Sequence, residues 1–484
     1  NPDNIYRDNV AAGSDATGFW FALPEHPTGK FEGTEISAKT WPRRTPVREF
    51  KGNTAHSNFD GFMFDRGPRA DGHFATGGHI ALANPADANS PQVETVIEDF
   101  TGYKNRNSGI WTRGEMDLFQ NLKLADNAIG YTHASGNFGR SAFTSRVVDS
   151  LFVGETENIG NPRTPAEMAY GRSLPEPKLP DFPIRGYEFY DYRHDVVNDT
   201  FVNFEDNATR KTGAISYLLY TSFGMSSNNT VQRAKFINAK PVYFPPMEFK
   251  WSNDDYGNGS YQTSVFNDKD GSVSGVPNSY ILINDANDGI AIDDACEIKP
   301  TWNAAVCKGD VGRMTVGAPG GGGRGGRGAG AGRGGRGGAA VAGGRGAGRG
   351  GLGGIVGPRN GFLGAPAPAG PPIVLSRNGK DLTVTGETNV RAGSEIKVTT
   401  ERPSLSLNVK ELDSGSWVIF DLPGFTTAAS GTEESSLDAL RKASATSYYK
   451  GNGSLWVKLV SSGDVLGSGP DSGPSGGASL QVSR

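Results

Sequence analysis

Leu118-Phe119-Gln120-Asn121-Leu122-Lys123-Leu124 decides the fold once it is set beside three later stretches. These are Val147-Val148-Asp149-Ser150-Leu151-Phe152-Val153, Val196-Val197-Asn198-Asp199-Thr200-Phe201-Val202 and Val231-Gln232-Arg233-Ala234-Lys235-Phe236-Ile237. Each is a brief β-prone run, interrupted by polar residues, that returns to a bulky apolar residue. Polar turns rich in Asn, Gly and Asp follow, as in Ala125-Asp126-Asn127-Ala128-Ile129-Gly130. Short strands with Asn-rich corners, recurring at irregular intervals, predict the rungs of a parallel β-helix. Such a solenoid offers a long flat flank, a platform for an extended polymer.

Composition agrees. The 484 residues exceed one ordinary core, so two or three units are expected. Turn formers are abundant, with 69 Gly and 29 Pro, and the 36% hydrophobic content suits a narrow core repeated along a solenoid. Runs of four to eight β-branched and aromatic residues dominate over any helical period, which selects the all-β class. A net charge of −4 argues against a dedicated nucleic-acid binder. The sequence has no run of 18 apolar residues, hence no expected membrane span. It opens on Asn with no signal peptide ahead, and reads as a processed or truncated product that starts in mid-rung at Asn4–Asn9.

Residues 1–310 are expected to form the β-helix and its cap. Insertions at 20–48, 66–95 and 160–183 read as loops, and turn-dense sequence over 241–310 reads as the last coils. Residues 317–372 are Gly/Ala/Arg- and Pro-rich, have little to bury, and are expected to be a flexible insertion rather than an Arg-Gly nucleic-acid segment, because no aromatics interleave. Residues 373–484 carry short strands and hairpin turns such as Arg377-Asn378-Gly379, expected to make a β-sandwich-like domain. Cys296 and Cys307 share one short polar segment. They read either as a disulfide closing a small loop or as two free thiols, and the disulfide is the expectation. Sequons stand at Asn198, Asn207, Asn228, Asn258 and Asn452.

An ordered set of motifs carries a family resemblance. It includes Asp8-Asn9-Val10-Ala11-Ala12-Gly13-Ser14 with Gly18-Phe19-Trp20, Asn53-Thr54-Ala55-His56-Ser57-Asn58, and Trp111-Thr112-Arg113-Gly114. It continues through Ala125–Gly130, Leu151-Phe152-Val153-Gly154-Glu155 and Phe182-Pro183-Ile184-Arg185-Gly186, then Ser264–Asp268 and Cys296 to Cys307 with Trp302 between. In this the chain resembles the hyaluronan-depolymerising family of the cell-migration-inducing hyaluronidase and its transmembrane relative, as an N-terminally shortened relative. The resemblance implies a right-handed parallel β-helix, a secreted or cell-surface location, and hyaluronan or a similar acidic polysaccharide as ligand.

Cleaving a glycosidic bond commonly takes two carboxylates. Rung-corner candidates are Asp60, Asp117, Asp126, Glu155 and Asp191. Asp126 has His133 seven residues on, and the two could share proton transfer from neighbouring turns; the competing reading is an Asp that bonds its own corner backbone. His56 is the best functional histidine by context. Catalytic candidates are therefore Asp126, His133, His56 and Glu155. A uronate polymer wants Arg and Lys for charge-assisted bonds and rings for sugar faces. Lys104, Arg106, Trp111, Arg113, Arg185 and Asp191 are the ligand-binding candidates, with solvated edge, core or salt bridge as alternatives. No cofactor or metal is expected. Asp268 and Asp270 before Gly271 suggest a calcium loop, but Phe266 fills the first ligand position, so a tight turn is preferred. The leading expectation is a secreted or surface β-helix protein that binds an acidic polysaccharide, with its depolymerisation left open. The alternative is a non-catalytic surface or matrix protein whose Asn ladder serves self-assembly.

Overall fold

The computed structural model describes residues 2–68, 74–75, 77–135, 145–157, 183–190, 193–208, 210–218, 225–245, 265–284, 289–319, 370–384, 386–465 and 475–484. The first part is a parallel β-helix of seven coils. Each of the first six coils gives one strand to each of three sheets, here called A, B and C, and the seventh gives strands to A and B. The fourth coil illustrates the order: Asp117–Gln120 in sheet A, Lys123–Ala125 in sheet B, Ile129–Ser135 in sheet C. Its neighbours pair with it in parallel on all three sides.

The four repeated stretches turn out to be one structural unit. Phe119, Val147, Val196 and Val231 stand in register in sheet A, and Leu124, Phe152, Phe201 and Phe236 in sheet B. Strand alternation sends these residues inward, where they stack with their counterparts above and below. Phe152 and Phe201 lie 4.8 Å apart, Phe201 and Phe236 5.5 Å. Each buried Phe contributes roughly 1.5–3 kcal/mol of transfer free energy. The helix is thus held by a column of apolar side chains running its length.

The polar residue between the A and B strands has its own reason. Asp8, Gly52, Asp99, Asn121, Asp149, Asn198 and Arg233 occupy one corner in the seven coils, each with φ between 53° and 68°. Asn, Asp and Gly tolerate this left-handed conformation best. The corner between sheets B and C repeats the device at Ser57, Lys104, Asp126, Asn203 and Asn238. Lys104 and Asp126 are therefore equivalent corner residues, one coil apart. Just past them, Asn58, Asn105 and Asn127 form a buried ladder. Asn58 Nδ2 donates to Asn105 Oδ1 at 3.2 Å, and Asn105 Nδ2 to Asn127 Oδ1 at 3.0 Å. Each Oδ1 also accepts a backbone N–H from the preceding rung, Ser14, Asn58 and Asn105 in turn. At the start of sheet C, Gly18, Gly61, Gly109, Gly130 and Gly186 share one position, where a Cβ would meet the next coil's carbonyl oxygen at 2.4–2.8 Å.

Sheet A then changes character. After Val265–Asp268, the strands Ser279–Ile283, Ala304–Cys307 and Cys296–Lys299 pair antiparallel and close that end of the helix. Cys296 faces Cys307 across the last pair, and the two form the disulfide. Beyond lies a two-sheet sandwich with its own apolar core. Its five-stranded sheet includes Val311–Gly317, so the sandwich draws chain from both sides of 317–372 and begins before residue 373. The expected flexible insertion lies outside the described residues from 320 to 369. Among the described residues no helix is long and apolar enough to cross a membrane.

Candidate functional site on the outer face of sheet C

Inward residues of sheet C, such as Phe62, Ile110, Tyr131 and Tyr187, join the core. The alternate row therefore points outward: Trp20, Met63, Trp111, Thr132, Glu188 and Ser216, one per coil and in register. A second outward row includes Arg113, Ala134, Tyr190 and Leu218, and Trp111 packs against the last three, apart from the main core. Three ligand-binding candidates, Trp111, Arg113 and Arg185, belong to this sheet.

Two carboxylates organise it. Asp65 is buried and accepts from the Trp111 indole N–H at 3.0 Å, with Arg113 Nε 3.4 Å away. The Arg113 guanidinium also lies 5.3 Å from the centre of the Tyr190 ring. Trp20 donates its indole N–H to the Asp65 carbonyl at 3.0 Å and packs its ring on exposed Phe74 at 4.9 Å. Further along, Glu188 is fully buried. Arg185 Nη2 meets its Oε2 at 2.6 Å, and Thr132 Oγ1 donates to its Oε1 at 2.9 Å. Burial pushes the Glu188 carboxyl up, against the pull of Arg185 and the Thr132 hydrogen bond. The face thus offers two rings at a partly exposed mouth, two buried acids and two guanidinium groups.

The remaining candidates go elsewhere. Asp126 does not face His133. It holds the left-handed corner and ties it to the next coil, accepting from Thr156 N at 2.7 Å and Thr156 Oγ1 at 3.0 Å. His133 points into the core, its ring nitrogens 2.8 Å from the Tyr131 hydroxyl and 3.1 Å from the Gly114 carbonyl. Glu155 meets Asn207 Nδ2 at 2.7 Å and Arg210 at 3.5 Å near the B–C corner. His56 is half-buried on sheet B, stacked 4.7 Å over Tyr103. Lys104 is a corner residue, and Arg106 reaches Ser14 O at 3.5 Å and Asp15 at 3.7 Å. Asp191 lies outside the described residues. Asp60 and Asp117 are buried, bonded to Ser108 and to His79 respectively. Asp268 Oδ2 accepts from the N–H groups of Val273 and Ser274, and Asp270 accepts from those of Ser272 and Arg233, as in a tight turn.

Sequence reasoning missed Asp65, Glu188 and Tyr190. Each sits within or beside an apolar stretch, and the one cue was the Arg185-Gly-Tyr-Glu188 spacing. It also missed a buried histidine pair, His133 and His194, whose rings lie 4.4 Å apart. Burial lowers both, and His133 lowers His194 further. Asp117, hydrogen-bonded to His79, opposes the effect on His133, while Arg113 adds to it. A depressed histidine contributes stability that is complete above its unfolded value, near 6.5, and lost as pH falls through that value. The buried acids Asp60, Asp199 and Glu188, all raised, have the opposite slope. His194→Gln is therefore expected to flatten the loss of melting temperature between pH 7 and 5 relative to the parent. Parallel slopes in scanning calorimetry would contradict this.

The CEMIP β-helix family model matches residues 1–63. The human cell surface hyaluronidase CEMIP2 is 32% identical over 339 residues, covering 65% of this chain and 24% of that protein. The mouse cell migration-inducing and hyaluronan-binding protein is 33% identical over 339 residues, 65% of this chain and 24% of its own length. A zebrafish cell surface hyaluronidase is 26% identical over 338 residues, with 65% and 23% covered. The chain spans about a quarter of the length of these relatives. Stacked coils, the ordered motif set and these similarities agree: residues 1–63 match the CEMIP β-helix family model, and the chain is similar to its named relatives over 65% of its length.

Proposed function

We propose that this chain binds a linear acidic polysaccharide, hyaluronan by the names of its relatives, across the outer face of sheet C. The observation that carries the reading is the pair of outward rows that set Trp20, Trp111 and Glu188 beside Arg113 and Asp65. Indole faces take the apolar faces of sugar rings, and the buried Arg113–Asp65 pair holds the two rings in place. Phe74, Trp20 and Trp111 form the partly exposed entrance. The Cys296–Cys307 disulfide suits an oxidising compartment, in keeping with a place outside the cell.

Depolymerisation is the finer step. Asp65 adjoins the second coil and Glu188 belongs to the fifth, so about 14 Å of stacking separates their strands. A retaining pair needs about 5 Å between carboxyls. At the separation found here Asp65 cannot partner Glu188. The Glu188 carboxyl, raised by burial, is assigned as proton donor to the leaving glycosidic oxygen as the C–O bond breaks, while water adds to the anomeric carbon and releases its surplus proton to solvent.

Size-defined hyaluronan, analysed by retention on an affinity matrix and by chain length on a gel, tests both steps. The full chain should retain and shorten it. Trp111→Ala should weaken retention roughly thirtyfold, about 2 kcal/mol for a central aromatic. Glu188→Gln should keep retention and abolish shortening. A parent chain that neither retains nor shortens the polymer would overturn the proposal; retention without shortening would confine it to binding.

A further inference from the structure

We infer that the corner between sheets A and B carries a second, shallower track for an anionic glycan, separate from the sheet C face. The inference rests on the polysaccharide reading and extends it. On sheet B the outward positions are Val10, Thr54, Thr101, Lys123, Leu151, Thr200 and Lys235 in one row. The parallel row runs from Ala12 through His56 and Tyr103 to Ile237. These rows hold Lys123, Lys235 and His56 and no acidic residue.

A cleft of roughly 430 Å³ runs along this corner from the fourth coil to the seventh. Its floor is Lys123, Leu151, Thr200 and Lys235, and its wall includes the corner residues Asn121 and Asn198. Both lysines are exposed, and neither has an ion pair among the described residues. Asp149, the one acid in the cleft, accepts from Asn198 Nδ2 at 2.5 Å. Lys123 and Lys235 stand three coils apart, about 14 Å along the helix axis. One compact anion cannot bridge that distance. A chain with repeated carboxylates can, while its rings lie over Leu151 and Thr200 and its polar groups meet the Asn side chains. The corner ladder sets the direction, since each coil repeats the same cross-section.

The test uses the full chain, hyaluronan oligomers of increasing length, and neutral dextran. K123E/K235E should weaken binding of the longer oligomers about tenfold at low salt. The difference should close in 1 M salt, where charges this exposed are screened. Shortest oligomers should lose least, because they span only one lysine. The melting temperature should not move. Unchanged affinity in K123E/K235E, alongside a weakened Trp111→Ala, would overturn this second track and leave the sheet C reading standing. No binding of any oligomer by the parent chain would overturn both. An equal loss toward dextran would overturn the charge argument.

Discussion

Arg313→Met is expected to lower the unfolding free energy by about 3–5 kcal/mol, the cost of removing one partner from a buried ion pair. Arg313 is almost fully buried at the start of the sandwich. Its Nε donates to Glu411 Oε2 at 2.8 Å, its Nη2 also meets Glu411, and its Nη1 donates to Glu387 Oε2 at 2.8 Å. Glu411 reaches back to the β-helix as well: Ser227 N and Oγ both donate to its Oε2 at 2.9 Å. One guanidinium thereby anchors the sandwich to the turn that precedes the seventh coil. Glu411 holds φ at 61°, a conformation that costs a non-glycine residue of order 1–3 kcal/mol and needs such anchoring. Burial raises the Glu411 carboxyl, but the charge and hydrogen bonds of Arg313 outweigh it and hold it at about 2. With the folded value depressed, the stability it contributes is present above pH 4.5 and lost as pH falls toward 2. Arg313→Met should remove that protection. Arg313→Met/Glu411→Gln should recover part of the loss, because no uncompensated charge then remains at Glu411. Chemical denaturation checks both; a loss under 1 kcal/mol in Arg313→Met would refute the anchoring role.

Asn105→Ala is expected to cost about 3 kcal/mol or more. Its side chain is fully buried in the middle of the ladder. Asn105 Oδ1 accepts from both the backbone N and the Nδ2 of Asn58, and its Nδ2 donates to Ala55 O at 3.3 Å and to Asn127 Oδ1 at 3.0 Å. Truncation strands several of these groups where water does not reach, at about 1–3 kcal/mol each. Asn105→Asp should fare no better. It keeps an acceptor for Asn58 but loses both donors and buries a charge. By contrast Thr54→Ala, on the partly exposed sheet B face, should cost little. A midpoint shift for Asn105→Ala no larger than that of Thr54→Ala would show that the ladder bears no load.

The coil pattern was legible because it is local. Val147-Val148-Asp149-Ser150-Leu151-Phe152-Val153 spells one strand, one left-handed corner and the next strand. The physics of each step lies within about three residues. The Cys296–Cys307 pairing was legible for the same reason, since the two cysteines are only 11 positions apart and face each other across one antiparallel pair. The candidate site was legible only in part. Trp111, Arg113 and Arg185 carry chemistry on their faces, so residue type drew attention to them. Asp126 and His133 looked equally apt, yet one shapes a corner and the other fills the core. Spacing along the chain does not report which way a side chain points when an insertion shifts the coil.

By itself the sequence determined an all-β chain of stacked coils with Asn, Asp or Gly at the corners, because those demands are met by neighbours in the chain. Tertiary structure alone decided that Trp20, Asp65, Trp111 and Glu188 share one face, and that Ser227 meets Glu411 184 positions away. The physical reason is register. Stacking brings each residue beside another one coil away, and the chain length of that coil ranges from 22 residues between Asn105 and Asn127 to 56 between Thr132 and Glu188. Only the hydrogen-bonded sheets settle which residue each one meets.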